Sequence, residues 1–523
     1  MRKVLGFAAT TAAVALVGSA YAADLRVGLS AEPNSMDPHY HNLAPNNMVS
    51  AAVFSKLVEQ DEAQNKVPGL AESWSQLAPN VWEFKLRQGV TWHDGSPFTA
   101  EDVKFTMGRA GDVPNSPSSF GLFTKILTEV EVVDDHTVRL KTKDAFPLMP
   151  DYMSVVYIVS KKHGEGATTN DYNSGKAMVG TGPFKFVEWV PGDRLVYEKN
   201  PAYFGSKPEW DKVTIKPITN DSSRVAALLA GDVDFIDTPA TTDIALLKKN
   251  AKIALAEVAS NRLIYLHLDS DRDKSPFVTD IDGKPMDKNP LKDVRVRRAL
   301  SLAIDRKAIA EKVMEGLASP AGQLMPPNVY ATVADLQPDP FDANKAKALL
   351  AEAGYPKGFG LTIHGPNNRY VNDHKISQAI AQMLTRVGVK TAVVTMPSNV
   401  FFQKASALEY SLMLVGWSSG SGEPSNPLKA LLQTYDKSKG QGATNRGRYS
   451  NPALDILIDK ALSAANREEW AKTTQEATKV AMNDLGIIPL HFQVNVWAMR
   501  QGLSYAARAD EYTIIQSIHS AKK

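Results

Sequence analysis

Three places in the chain combine residue types able to do chemistry. Gly416-Trp417-Ser418-Ser419-Gly420 fits G-x-S-x-G, the turn that presents a serine nucleophile in hydrolases. Asp455 and His491 follow it in the order that such a triad takes, so a serine hydrolase using Ser418 has to be weighed. That turn must feed straight into a helix, and Pro424 and Pro427 are expected to break the continuation. His39 and His41 flank Tyr40, but two histidines at i and i+2 without a cysteine nearby are a weak metal pattern. They read as surface histidines, and no metal or other cofactor is expected. The third place is Arg369, in Gly365-Pro366-Asn367-Asn368-Arg369-Tyr370, just ahead of a helical pattern. A helix N-terminus carries free N–H groups and partial positive charge. An arginine beside it makes a carboxylate or phosphate site with bidentate hydrogen bonds; an exposed loop arginine is the alternative.

The elements that must hold these residues are legible from periodicity. Trp82, Phe84 and Leu86 alternate with Glu83, Lys85 and Arg87, which predicts a strand with one buried face. Asp94-Gly95 predicts a turn after a second short strand. Thr99 followed by Asp102 predicts a helix N-cap with an acid in the first turn. Residues 24–29 and 263–268 read as strands, and 31–38 as an irregular loop. The Pro/Asp/Lys-rich stretch 274–289 reads as an exposed linker. Three helical faces follow: Val296, Ala299, Leu300, Ala303 and Ile304; then Ala346, Leu349, Leu350 and Ala353; then Ile376, Ala379, Ile380, Met383, Leu384 and Val387. Gly354 and Gly388 stop the last two, and strands at 360–364 and 390–395 follow them. Helices alternating with strands argue for an α/β fold.

Composition narrows the function classes. Arg2 and Lys3, the apolar run 4–18 and Ala20-Tyr21-Ala22 read as a cleavable export signal over 1–22. No later stretch approaches about 18 uninterrupted apolar residues, so the mature chain is expected to be soluble. The sequence holds no cysteine, which excludes disulfides, thiol chemistry and a lipid anchor at the cleavage point. Location free in the periplasm follows as the expectation. There are 59 basic and 57 acidic residues, and 57 against 57 without Arg2 and Lys3. That balance carries no nucleic-acid signature and no broad membrane attraction. About 500 mature residues suggest two or three domains.

The block from Trp82 to Met107 resembles a near-fixed phrase of the extracytoplasmic solute-binding proteins that serve peptide, nickel and opine ABC importers, bacterial solute-binding family 5. The loop around Asp37-Pro38, Val179 to Phe186, Asn200 to Phe204 and Ala230 to Asp234 resemble further phrases of that family. The resemblance runs from about Asp24 to about Tyr505. It implies a two-lobed α/β fold of the type II periplasmic binding protein kind, with three domains and the ligand cleft between lobes. Domain I is expected from 23–59, 181–268 and 488–523, domain II from 60–180, and domain III, the second lobe, from 269–487. It also implies a receptor, not an enzyme. That receptor closes on a small solute and docks on permease subunits driven by ATPases, with a monomer as the family default and no nucleic-acid partner.

Under that resemblance, Arg369 lies where relatives place a ligand-carboxylate arginine. Gly416 and Trp417 end an apolar strand at the cleft, where α/β folds bind ligands. Trp417 would cover the solute with a rigid surface, or else lie in the core. Peptide-binding members carry an aspartate a few residues after Gly-Trp for the peptide ammonium. This chain has Ser418-Ser419-Gly420-Ser421-Gly422, and its first acid there is Glu423. Either Glu32 or Glu423 supplies the anion, or the ligand is not a peptide with a free N-terminus, since an unpaired buried ammonium is costly. Ser418 and Ser419 would instead offer hydroxyl and backbone hydrogen bonds. Glu32 matches an acid near the cleft, and Phe492 a cleft aromatic; a solvated loop glutamate and a core aromatic are their alternatives. A short peptide or peptide-like solute leads. Opines, glutathione-like conjugates, polyols or metal complexes follow.

Overall fold

Residues 24–521 are described by the computed structural model; the segment read as an export signal lies outside them. The chain folds into two α/β lobes joined by two long antiparallel strands, Ile253–Leu268 and Ile487–Arg500. These strands form the middle of one twelve-stranded sheet. Toward the first lobe, Ile487–Arg500 pairs with Phe235–Asp237, which adjoins the N-terminal strand Asp24–Leu29. Toward the second lobe, Ile253–Leu268 pairs with Leu412–Trp417 in the register Leu263 to Trp417 and Leu268 to Leu412. Both long strands therefore serve both lobes, and the predicted strand 263–268 is only the second half of a sixteen-residue one.

Between the halves the register breaks. Ala259 pairs with Val494 and Leu263 with Phe492, so Ser260, Asn261 and Arg262 bulge out of the ladder. A bulge bends its strand and re-aims side chains. The Ser260 hydroxyl steadies it by donating to the Gln493 carbonyl at 2.8 Å. This kink lies where the lobes meet and places Asn261 and Arg262 in the cleft region.

A separate four-stranded antiparallel sheet, 71–78, 81–86, 137–142 and 127–134, packs with the helix Ala100–Ala110 beside the first lobe. The strand Val81–Leu86 buries Phe84 and Leu86, as the alternation predicts. The Thr99 N–H donates to Asp102 at 3.0 Å, the reciprocal half of a capping box. The expected second strand before Asp94-Gly95 is reduced to one bridge between Thr91 and Pro97, because Pro97 cannot extend a ladder. The glycines of the Gly180-Thr181-Gly182 phrase have a steric cause. A Cβ on Gly180 would lie 1.7 Å from the Val53 carbonyl oxygen, and Gly182 N–H donates to that oxygen at 2.8 Å.

In the second lobe the three periodic helices appear as Val294–Leu302, Ala343–Glu352 and Asp373–Arg386. Gly354 and Gly388 sit at φ 94° and 102°, the left-handed region that ends a helix without strain on a Cβ. The stretch 274–289 is not a free linker. Val278–Thr279 adds to the sheet edge against Phe359–Pro366, and Asn289 is buried with its amide on the Asp269 and Arg272 carbonyls. The third helix packs its apolar stripe, with Ile376 and Ile380, onto Leu412 and Leu414.

Candidate functional site

The lobes are closed on each other, and the contacts show how. The strand Leu412–Trp417 delivers the loop 418–424 of the second lobe against the segment 60–66 of the first. Three successive loop carbonyls are held there. Gln64 donates to Ser419 O at 3.1 Å, Gln60 to Gly420 O at 2.8 Å and Lys66 to Ser421 O at 2.9 Å. Beyond the loop, Arg467 of the second lobe pairs with buried Asp151 of the first at 2.8 Å, and Lys66 reaches the same carboxylate at 3.5 Å.

Behind this loop the bulge residues meet the C-terminal segment. Arg262 is deeply buried and grips Glu511 with two nitrogens, Nε at 2.9 Å. Arg369 approaches the same carboxylate at 3.8 Å. Burial alone would raise the Glu511 pKa; the charges of Arg262 and Arg369 outweigh it and hold the carboxyl below its ordinary value. Glu511 is held at φ 66°, a left-handed conformation that costs an L-residue about 1 kcal/mol or more. Tyr370 stands between the two arginines, 6.0 Å from Arg262 and 5.2 Å from Arg369 at the ring centroid. Its hydroxyl donates to Gly416 O at 3.2 Å. A Cβ on Gly416 would meet the Tyr370 ring and Ile264 at 2.8 Å, so glycine here lets the ring lie against the strand end. Burial, followed by the Arg369 charge, lowers His41 to about 4, so that ring is neutral. Arg446 has no ion-pair partner among the described residues, and burial lowers its pKa. Two arginines on one carboxylate leave a surplus of positive charge in the cleft.

The residues expected from sequence fall into two groups. Arg369, Gly416, Trp417, Ser418 and Ser419 lie together around this cleft. Trp417 is half-buried and donates through Nε1 to Asn426 at 2.9 Å. The Ser418 hydroxyl donates to Asn261 Oδ1, and the Ser419 hydroxyl donates to Glu423 O at 3.0 Å. Glu32 is engaged within its own lobe, and Phe492 is a buried side chain on the strand beside the bulge. The Glu32 carboxylate accepts from Gly192 N–H at 2.7 Å and Trp189 Nε1 at 3.3 Å, tying its loop to a hairpin of the same lobe. Phe492, 3% exposed, is a core side chain packed with Leu263 and Tyr265. Glu423 is also turned inward. It is fully buried and capped by Ser421, Ser425 and Asn426, and burial raises its pKa.

Two further expectations are corrected. His39 is not a surface residue. It is fully buried, with Nε2 at 2.7 Å from Tyr157 O and Nδ1 accepting from Arg109 at 2.9 Å. Arg109 in turn forks onto Asp37, so this is a framework cluster. Pro424 and Pro427 do not prevent a helix, since 425–432 is helical and both prolines fall at its start, where no N–H is required. The hydrolase triad still does not assemble. Ser418 is bonded to Asn261, Asp455 accepts from Thr434 at 2.9 and 2.6 Å, and neither nitrogen of buried His491 has a partner among the described residues. Sequence reasoning missed Gln60, Gln64, Lys66, Asn261, Arg262 and Glu511. The available signal was Asn261-Arg262, a polar pair interrupting the apolar strand pattern.

The family description "Bacterial extracellular solute-binding proteins, family 5 Middle" matches residues 65–439. The chain belongs to this family. It is 31% identical to the heme-binding protein A of Haemophilus influenzae, over 86% of the chain and 83% of that protein. It is 30% identical to a glutathione-binding protein of Pectobacterium atrosepticum, over 90% and 88%. In fold it is similar to a transporter-associated periplasmic binding protein of Helicobacter pylori solved with the peptide STSA. That likeness has a TM-score of 0.82 and 24% identity, and covers 95% of this chain and 98% of the other. The two-lobed closed cleft is thus the solute-binding architecture of family 5. Among the described residues no helix is long and apolar enough to cross a membrane.

Proposed function

We propose that this family 5 protein is the periplasmic receptor of an ABC importer for a short peptide or peptide-like solute bearing a carboxylate. The supporting observation is the Arg262–Glu511–Arg369 arrangement at the lobe junction. Arg262 alone satisfies Glu511 with two hydrogen bonds, while Arg369 stands at 3.8 Å, a charge only loosely engaged. An incoming carboxylate can take Arg369 in bidentate fashion without stripping Glu511 of its partner. Closure then follows the contacts already described: the loop 418–424 on Gln60, Gln64 and Lys66, and Arg467 on Asp151. Lobe closure around a ligand is the standard hinge motion of such receptors.

We propose further that the receptor is exported, three-domain and monomeric. Export uses the signal at 1–22, and the absence of cysteine leaves the mature protein free of a lipid anchor. Domain I comprises 23–59, 181–268 and 488–523, domain II 60–180 and domain III 269–487. The receptor works as a monomer, has no enzymatic activity and delivers its solute to permease subunits with their ATPases. Small-angle X-ray scattering on refolded, ligand-free protein tests the cleft reading. Adding the low-molecular-weight fraction released from native protein is expected to shrink the radius of gyration. An unchanged radius at saturation contradicts ligand-driven closure.

A further inference from the structure

Loop 34–42 of the first lobe lies near enough to Arg369 of the second for that charge to act on His41. Its hydrogen bonds fix where one proton sits. Asn46, 2% exposed, donates through Nδ2 to the Ser35 carbonyl at 3.0 Å and to Asn34 Oδ1 at 2.9 Å. A carbonyl can only accept, so this nitrogen is assigned, and Asn34 Oδ1 is the acceptor of its second bond. The other end of the Asn34 amide, Nδ2, is then a donor, and it lies 2.8 Å from His41 Nδ1. Nδ1 must accept, so in the neutral ring the proton sits on Nε2. The ring is neutral because burial, followed by the Arg369 charge, opposes a second proton. His41 is half-buried, and its Nε2–H has no partner among the described residues.

The backbone under this ring is held as well. His41 bridges to Ser118, and the Asn42 N–H donates to Ser118 O at 2.9 Å. Asn42 Oδ1 accepts from Asn47 Nδ2 at 3.1 Å, and the same nitrogen donates to the Tyr512 hydroxyl at 2.9 Å, one residue from Glu511. Arg369 stands 3.8 Å from the Glu511 carboxylate. Its guanidinium makes no hydrogen bond among the described residues. The His41 Nε2–H and the Arg369 fork are thus two unmet donors from opposite lobes in one neighbourhood, which suits an anion. We infer that His41 is the first lobe's contact to the solute carboxylate, donating from Nε2 to the same group that Arg369 holds from the second lobe. The inference rests on the receptor reading and deepens it. One carboxylate then joins both lobes, and its binding favours the closed form. The same relay works against a metal on this ring, since a metal needs the Nε2 lone pair that the proton occupies.

Two substitutions separate the donor from its scaffold. An asparagine amide reaches as far as Nδ1 of a histidine, and a glutamine amide as far as Nε2. His41→Asn therefore keeps an acceptor for Asn34 and loses the donor. His41→Gln keeps a donor toward Arg369 and loses the Asn34 contact. Refolded, ligand-free protein is exposed to an equimolar pool of dipeptides and their C-terminal amides, and the retained members are quantified by mass spectrometry. Wild type and His41→Gln are expected to prefer the free acids. In His41→Asn that preference should fall by at least about tenfold, the worth of one hydrogen bond to a charged group, with unfolding in scanning calorimetry near native. An acid preference in His41→Asn equal to that of wild type overturns the inference and leaves the receptor reading standing. So does a preference lost in His41→Gln and kept in His41→Asn, which would make His41 a scaffold residue. Equal retention of acids and amides by the wild type removes the carboxylate from the receptor reading, and no retention removes the peptide-like solute; the inference falls with either.

Discussion

Arg369→Ala and Arg262→Ala should separate binding from folding, although both arginines face the same carboxylate. Arg369 touches Glu511 only at 3.8 Å and rests on the Tyr370 ring at 5.2 Å. A contact of that kind, with the side chain 23% exposed, contributes about 1 kcal/mol or less to stability. Its backbone N–H bond to Asp373, at 3.0 Å, survives the substitution. A bidentate carboxylate contact to solute, by contrast, costs roughly 2–5 kcal/mol when truncated. That corresponds to about 30-fold up to several-thousand-fold in Kd. Arg262 has the reverse profile. Its loss leaves Glu511 buried without its bidentate partner, which costs roughly 3–5 kcal/mol of stability. Calorimetric titration with the released natural solute, paired with scanning calorimetry, reads both quantities. The expected result is a large affinity loss with near-native unfolding for Arg369→Ala, and early unfolding for Arg262→Ala. Native affinity in Arg369→Ala, or equal destabilisation of the two variants, would refute the assignment.

Other consequences are open to direct measurement. His39, His41, His93 and His364 are lowered to about 4, and His267 and His491 to about 3, burial being the largest cause in each. Between pH 6.5 and 4 the unfolded chain therefore binds more protons than the folded one, so stability is full above 6.5 and falls as pH drops. Scanning calorimetry across that range should show a steadily declining unfolding temperature; a flat profile would contradict the buried neutral rings. Arg467→Ala removes the inter-lobe pair with Asp151 while Lys66 keeps its own contact. Scattering should then report a larger open fraction in the ligand-free protein, and an identical profile would make that pair incidental to closure. Trp417 is half-buried at the strand end, so its fluorescence should respond to solute, and Trp417→Phe should abolish that response. A saturating titration without change would place the indole out of reach of the ligand.

The parts of the fold set by local rules were readable. Helices at 294–302, 343–352 and 373–386 follow from apolar spacing and terminal glycines. The strand ending at Trp417 follows from its apolar run. Arg369, Gly416 and Trp417 could be placed near one cleft because each sits at an element end. What stayed hidden depends on register and on long-range contact. A bulge is one slip in pairing between strands some 230 residues apart, and the residues it projects, Asn261 and Arg262, look from sequence like breaks in a strand. Glu511 lies in an irregular segment with no periodicity and acquires meaning only beside Arg262. For Glu32 and Phe492 two readings stayed open, since similarity of position does not reveal which way a side chain turns. Glu32 turned to its own hairpin, and Phe492 to the core.

On the proposed reading, one small carboxylate-bearing solute is held at Arg369 between the lobes. Native purification of the wild type and of Arg369→Ala, followed by denaturation and mass spectrometry of the released material, tests it most directly. The wild type is predicted to release a compound with a carboxylate, while the variant releases far less of it. A released compound without a carboxylate, or equal loading of the two proteins, would rule out Arg369 as the carboxylate's anchor.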